Sequence, residues 1–201
     1  HAAAEGPADF AQLTAAPGAR PGGAAAGAPS GRATKQGAGP GLETGAGIER
    51  LVGTAVHRLI ERRGLREVTA EEVAAQLPSL LRDDLPPEVA AEPGPLAARV
   101  AEACRNLTRQ GELTALLASG EVYHEVPFSA RIDGEIRRGV LDCLVRTADG
   151  HVTVVEFKTG RPRPEHAAQI EVYRQAAAVL FPDAEVSARL FHAGAEISPE
   201  K

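Results

Sequence analysis

Residues 137–147, RRGVLDCLVRT, and 151–159, HVTVVEFKT, are two runs rich in strand formers, separated by Ala148-Asp149-Gly150. So short a connection commits them to an antiparallel pair, and its length decides which residues face each other. A three-residue loop over 148–150 pairs Thr147 with His151 and sets Asp142 opposite Glu156. A two-residue Asp149-Gly150 loop would pair Asp142 with Phe157 and turn it to the other face. Gly150 can supply the left-handed conformation that commonly ends three-residue loops, which favours the first register. Strand side chains alternate, so Glu156 and Lys158 share a face while Phe157 points away.

The rest of the chain divides by texture. Residues 1–47 are dominated by Ala, Gly and Pro with almost nothing large and apolar to bury, and read as a flexible linker. From Ile48, apolar residues Leu51, Val52, Ala55, Val56, Leu59 and Ile60 recur at helical spacing up to Gly64. Thr69 precedes Ala-Glu-Glu as an N-cap, and LAARVAEACRNLTRQGELTALLA predicts one long helix. Between these, PSLLRDDLPPEVAAEPGP predicts a loop with short helical pieces. EVYHEVPFSA is a third strand, PEHAAQIEVYRQAAAVLF a helix with Pro164 in its first turn, and VSARLFHA a closing strand. The helix between two strands implies a parallel crossover, hence an α/β fold with a mixed central sheet flanked by helices. The expected division is 1–47 linker and 48–201 domain, with a helical part at 48–118 and the sheet with its helix at 121–193.

Composition limits the partners. No apolar run is long enough for a membrane span and the start has no signal-peptide pattern, so a cytoplasmic protein with no membrane partner is expected. His1 and the absence of Met suit a fragment of a longer chain. Cys104 and Cys143 are too few for a four-cysteine metal or iron-sulfur site and are expected to be buried thiols. A formal charge of -5 disfavours a free-standing tight DNA binder, so a DNA substrate would be delivered by something else.

Two carboxylates facing each other across a sheet repel unless a cation lies between them. Oxygen ligands of this kind suit Mg2+ or Mn2+, which stabilises charge on a scissile phosphate and acidifies water. Lys158 would orient that water or neutralise the transition state. The chain has three lysines, Lys35, Lys158 and Lys201, against nineteen arginines, so a compact ammonium at 158 stands out. Taken alone, an E-x-K at a strand end is usually an ordinary solvated pair.

The ordered segments G-V-L-D-C-L-V, V-V-E-F-K-T-G and Q-I-E-V-Y resemble the RecB/AddA-type nuclease domain of the PD-(D/E)XK superfamily, with G-T-A-V-H-R-L-I-E at the place of its upstream histidine helix. The resemblance runs from about Gly53 to Ala193. It implies a restriction-endonuclease-like core with an N-terminal helical region. It also implies His57, Asp142 and Glu156 as metal ligands and Asp142, Glu156 and Lys158 as the catalytic set. Gln169 and Tyr173 would support the site or touch DNA, and Glu125 matches a recurring acidic position ahead of the sheet. On a helical wheel His57 lies at the edge of the apolar stripe, one turn after Gly53, and Gln169 with Tyr173 forms an i, i+4 pair. Arg161 and Arg163 could grip phosphates, although a solvated loop explains them equally well. His151, His166 and His192 read as surface or packing residues.

No phosphate-binding G-x-x-x-x-G-K-[ST] loop is present, so the chain carries no motor of its own. The resemblance implies a Mg2+-dependent DNA exonuclease domain acting on single strands in double-strand-break repair by recombination. A helicase in the same polypeptide and a second subunit would be its partners. Two alternatives stay open: an inactive DNA-binding or subunit-docking module, and a stand-alone endonuclease of the same superfamily.

Overall fold

The computed structural model describes residues 45–194. The Ala/Gly/Pro-rich stretch therefore lies outside the described residues, except that Gly45, Ala46 and Gly47 already open the first helix. Among the described residues, six α-helices and four strands follow in chain order: α1 Gly45–Arg63, α2 Ala70–Leu81, α3 Pro87–Ala91, α4 Gly94–Thr108, α5 Gly111–Ala118, β1 Gly120–Ile132, β2 Glu135–Thr147, β3 Val152–Lys158, α6 Pro164–Leu180 and β4 Val186–His192. The sheet runs β1-β2-β3-β4. Its first three strands are antiparallel, and β4 lies parallel to β3 after the α6 crossover. This is the mixed sheet flanked by helices expected of a restriction-endonuclease-like α/β fold.

Each face of the sheet closes a separate core. Cys143, Val145, Val155, Phe157 and Phe191 pack under α1, α2, α4 and α5. Val126, Phe128, Ala130, Ile132, Leu141, Leu144, Val152 and Val154 pack under Ala176 and Ala177 of α6. Both cysteines are buried free thiols, and burial pushes Cys104 up to about 11 and Cys143 up to about 12.

Two helical expectations need correction. α2 does not stop before Pro78 but runs through it to Leu81. Leu77, Leu80 and Leu81 are fully buried at helical spacing, and that burial outweighs the ~3 kcal/mol that an interior proline costs. The capping box at the other end is present as expected, with Thr69 and Glu72 each accepting from the other's backbone N–H. The long helix over 96–118 is in fact two, because Gln110 takes an extended conformation ahead of Gly111. The break is tied to the sheet: Gln110 Nε2 donates to the His192 carbonyl (2.8 Å), and Asn106 Nδ2 to the Ala193 carbonyl (3.0 Å).

The hairpin between β2 and β3 has the three-residue loop. Thr147 N donates to His151 O (3.0 Å), Gly150 N donates to Thr147 O (2.9 Å), and Gly150 sits at φ +87°. The ladder runs from Arg146 opposite Val152 to Cys143 opposite Val155, which brings Asp142 level with Glu156. An added Cβ at Gly150 meets nothing within 4 Å, so the penalty of a side chain there is conformational alone. Gly150→Ala is expected to lower stability by about 1 kcal/mol in urea unfolding, with an unchanged m-value.

Candidate functional site

The β2–β3 ladder stops one residue short of Asp142. Its carboxylate takes over where backbone pairing ends, Oδ2 accepting the Phe157 N–H at 2.9 Å. Asp142 therefore sits in a fork where β2 leaves β3, half-buried and fixed by a main-chain donor. Opposite it on β1, between the pairs His124–Cys143 and Val126–Leu141, stands Glu125. Glu125 has φ +50°, a left-handed conformation unusual for a side-chain-bearing residue within a strand.

The strands change phase at this pair. Tyr123 and Val126 both belong to the α6 side although three residues apart, while Leu141 and Cys143 belong to opposite sides although two apart. Asp142 and Glu125 are thereby freed from the strict up-down alternation and can turn toward α1.

α1 supplies His57. Its Nε2 lies 3.1 Å from the Phe157 carbonyl and its Nδ1 3.2 Å from Asp142 Oδ1. A carbonyl only accepts, so Nε2 carries the proton and Nδ1 faces the carboxylate with either a second proton or a lone pair. Gly53, one turn earlier, permits this approach: a Cβ there would stand 3.1 Å from Thr159 Oγ1, just beyond the end of β3. Ligand atoms of His57, Glu125 and Asp142 lie within 4.8 Å of one another and could hold a metal ion. They line an open cleft of about 370 Å³ with Gly53, Thr54, Arg58 and Glu61. Glu61 stands one turn after His57 on the same helix face. The H-x-x-x-E spacing from His57 to Glu61 is its sequence signal.

Glu156 and Lys158 share a face as expected, and Lys158 Nζ donates to Glu156 Oε1 at 2.6 Å. Glu156 is 2% exposed, and its Oε2 is buried without a partner. Burial, and after it the neighbouring Asp142 charge, push its carboxyl up to about 7 against the opposing pull of Lys158. For His57 burial disfavours the charged ring, but the Asp142 carboxylate outweighs it and the pKa is raised. Asp142 shows the converse: burial opposes ionisation, yet His57 and the Phe157 N–H hold it below the usual carboxylate range. Glu125 is raised by burial and by Asp142. Carboxylates crowded around one imidazole, with a buried oxygen left over, form an environment that a divalent cation would neutralise. The donor set fits such an ion, whose identity the geometry leaves open.

The remaining expected residues lie around this centre rather than in it. Gln169 Nε2 donates to Tyr173 Oη (2.8 Å), and the Tyr173 ring packs edge-on against Phe128 on the α6 side. Arg161 is exposed in the loop after β3, and Arg163 is exposed ahead of α6, 3.9 Å from Glu165. His151 bonds Ser187 Oγ, and His166 stacks against His192. Glu125 thus joins His57 and Asp142 in a group whose ligand atoms converge, and Glu156 lies beside that group, level with Asp142 on β3.

The raised pKa of Glu156 has a stability consequence. Its neutral form is the better accommodated one, so the stability it contributes is complete below pH ~4.5 and is lost as pH rises through about 7. In chelator, Glu156→Gln is expected to raise Tm relative to the parent chain at pH 8 and to leave it nearly unchanged at pH 4.5. Equal Tm differences at the two pH values would contradict that assignment.

Comparison with known proteins gives a family. The model of the PD-(D/E)XK nuclease superfamily, whose members are generally metal-dependent nucleases, matches residues 35–199. No curated protein matches the chain. Among solved structures, the crystal structure of protein VC1899 from Vibrio cholerae is similar at 16% identity and a TM-score of 0.34, over 76% of this chain and 43% of that one. The chain thus spans less than half the length of that structure. With the family model covering most of its length, the chain belongs to the PD-(D/E)XK nuclease superfamily.

Proposed function

We propose that the chain is the nuclease domain of a RecB/AddA-type helicase-nuclease. In this reading it is a Mg2+-dependent exonuclease that shortens single-stranded DNA during double-strand-break repair by recombination. The observation that carries the nuclease reading is Asp142 held between His57 and the Phe157 N–H, with the unpartnered buried oxygen of Glu156 and the Lys158 ammonium beside it. The helicase link rests on the ordered sequence motifs and on an acidic net charge that suits a domain fed by an attached motor.

In this reading His57, Asp142 and Glu156 hold the ion, and Glu125 is placed to assist from β1. A bound Mg2+ would supply charge stabilisation at the scissile phosphate and a more acidic water. The chain's own groups do the rest. Phe157 fixes Asp142 through its N–H and fixes His57 through its carbonyl, so one peptide segment orients two ligands. Lys158, 22% exposed and anchored on Glu156, holds a positive charge where negative charge grows on the phosphate. Gln169 and Tyr173 are positioning residues on the α6 side, and Arg161 and Arg163 meet phosphates at the margin.

The test uses end-labelled single-stranded DNA with Mg2+. The parent chain should shorten it, and Asp142→Ala and Lys158→Ala should each lose activity by at least about 100-fold. Cleavage that persists in both variants would overturn the assignment. Metal binding without cleavage by the parent chain would favour an inactive DNA-binding module.

A further inference from the structure

Beyond the Glu125–Asp142 pair, β1 and β2 continue as a hairpin to the turn at Asp133-Gly134. On one face the β1 side chains are covered. Val126, Phe128, Ala130 and Ile132 are buried beneath α6. The opposite face, on the α1 side of the sheet, carries Pro127, Ser129 and Arg131 on β1 and Ile136, Arg138 and Val140 on β2, all exposed. Ile136 is 54% and Val140 42% exposed, two of the three large hydrophobics left open among the described residues. No acidic side chain lies on this face between Glu125 and the turn, although the chain as a whole is acidic. Its one neighbouring ion pair, Arg137 with Glu135, belongs to the other face.

The strip is continuous with the cleft. Glu125 and Asp142, at the base of the hairpin, also line that cleft. At ~3.3 Å per residue, Arg138 stands ~13 Å from Asp142 along β2, and Arg131, paired with Ile136, ~20 Å. Two guanidiniums on a stiff ribbon, leading away from a phosphodiesterase-like site, are spaced to meet successive backbone phosphates of one strand. The aliphatic side chains between them offer apolar surface to sugars and base edges. No aromatic platform is present on this face, so the grip would fall on phosphates and be independent of base sequence.

We propose that the outward face of the β1–β2 hairpin is a track for single-stranded DNA, gripped by Arg131 and Arg138 and leading into the cleft at His57, Glu125 and Asp142. This rests on the nuclease reading above and names the surface that would guide its substrate.

The test measures binding of a fluorescent 20-nucleotide oligothymidylate to the full chain over a range of salt, with Ca2+ in place of Mg2+ to withhold cleavage. Each lost phosphate contact lowers the slope of log K against log salt by about 0.7, so Arg131→Ala/Arg138→Ala should lower it by about 1.4. Arg138→Ala alone should give half of that and guards against a disturbed turn, since Arg131 Nη1 also donates to Gly134 O (2.9 Å). Arg137→Ala, on the other face, should keep the parent slope. A parent slope in both the double and the Arg138 variant, while the parent chain still cuts the oligonucleotide in Mg2+, would overturn the hairpin track alone. A parent chain that neither binds nor cuts would overturn the nuclease reading and the track together.

Discussion

The hydrogen bond from the Phe157 N–H to the Asp142 carboxylate holds this molecule's centre together. Backbone pairing between β2 and β3 ends just before it, and a side chain completes what a carbonyl would otherwise do. The two strands can then diverge without leaving a buried donor unsatisfied. Divergence opens the cleft, frees Asp142 and Glu125 from the alternation of their strands, and leaves room for α1 to bring His57 against the same peptide segment. The Phe157 side chain, 1% exposed, meanwhile anchors that segment in the core under the helices. One residue thus serves the fold through its ring and the site through both of its peptide groups.

The electrostatics follow from this placement. Against burial, His57 and a main-chain donor hold Asp142 below the usual carboxylate range, while burial and then the Asp142 charge raise Glu125 and Glu156. Lys158 compensates Glu156 on one oxygen only. A buried acid with one oxygen left over is destabilising by itself, which is the usual sign that binding rather than stability shaped the position. Membership of a superfamily of metal-dependent nucleases accords with that arrangement.

Much of this was legible in the sequence because it depended on local rules. The Ala148-Asp149-Gly150 loop fixed its own register through the φ available to Gly150, and register alone brought Asp142 level with Glu156. Gly53 and His57, one turn apart on an apolar stripe, foretold the close approach of α1. What escaped depended on tertiary balance. Burial of Leu77, Leu80 and Leu81 carries α2 through Pro78, and carbonyls at the end of β4 recruit Asn106 and Gln110 where the long helix divides. In the sequence Glu125 is only an acidic residue ahead of the sheet. Its left-handed backbone, the phase change it creates and its convergence with His57 arise from the pairing of two long strands, which no local pattern encodes.

A cation bound in the fork between β2 and β3 is what the proposed nuclease site requires. The direct measurement is anomalous diffraction from crystals of this chain grown with Mn2+. A peak is expected about 2–2.5 Å from His57 Nδ1 and from an Asp142 oxygen, with a carboxylate of Glu125 or Glu156 completing the protein ligands. A fork without a peak, with His57 still bonded directly to Asp142 at saturating Mn2+, would contradict the proposed site.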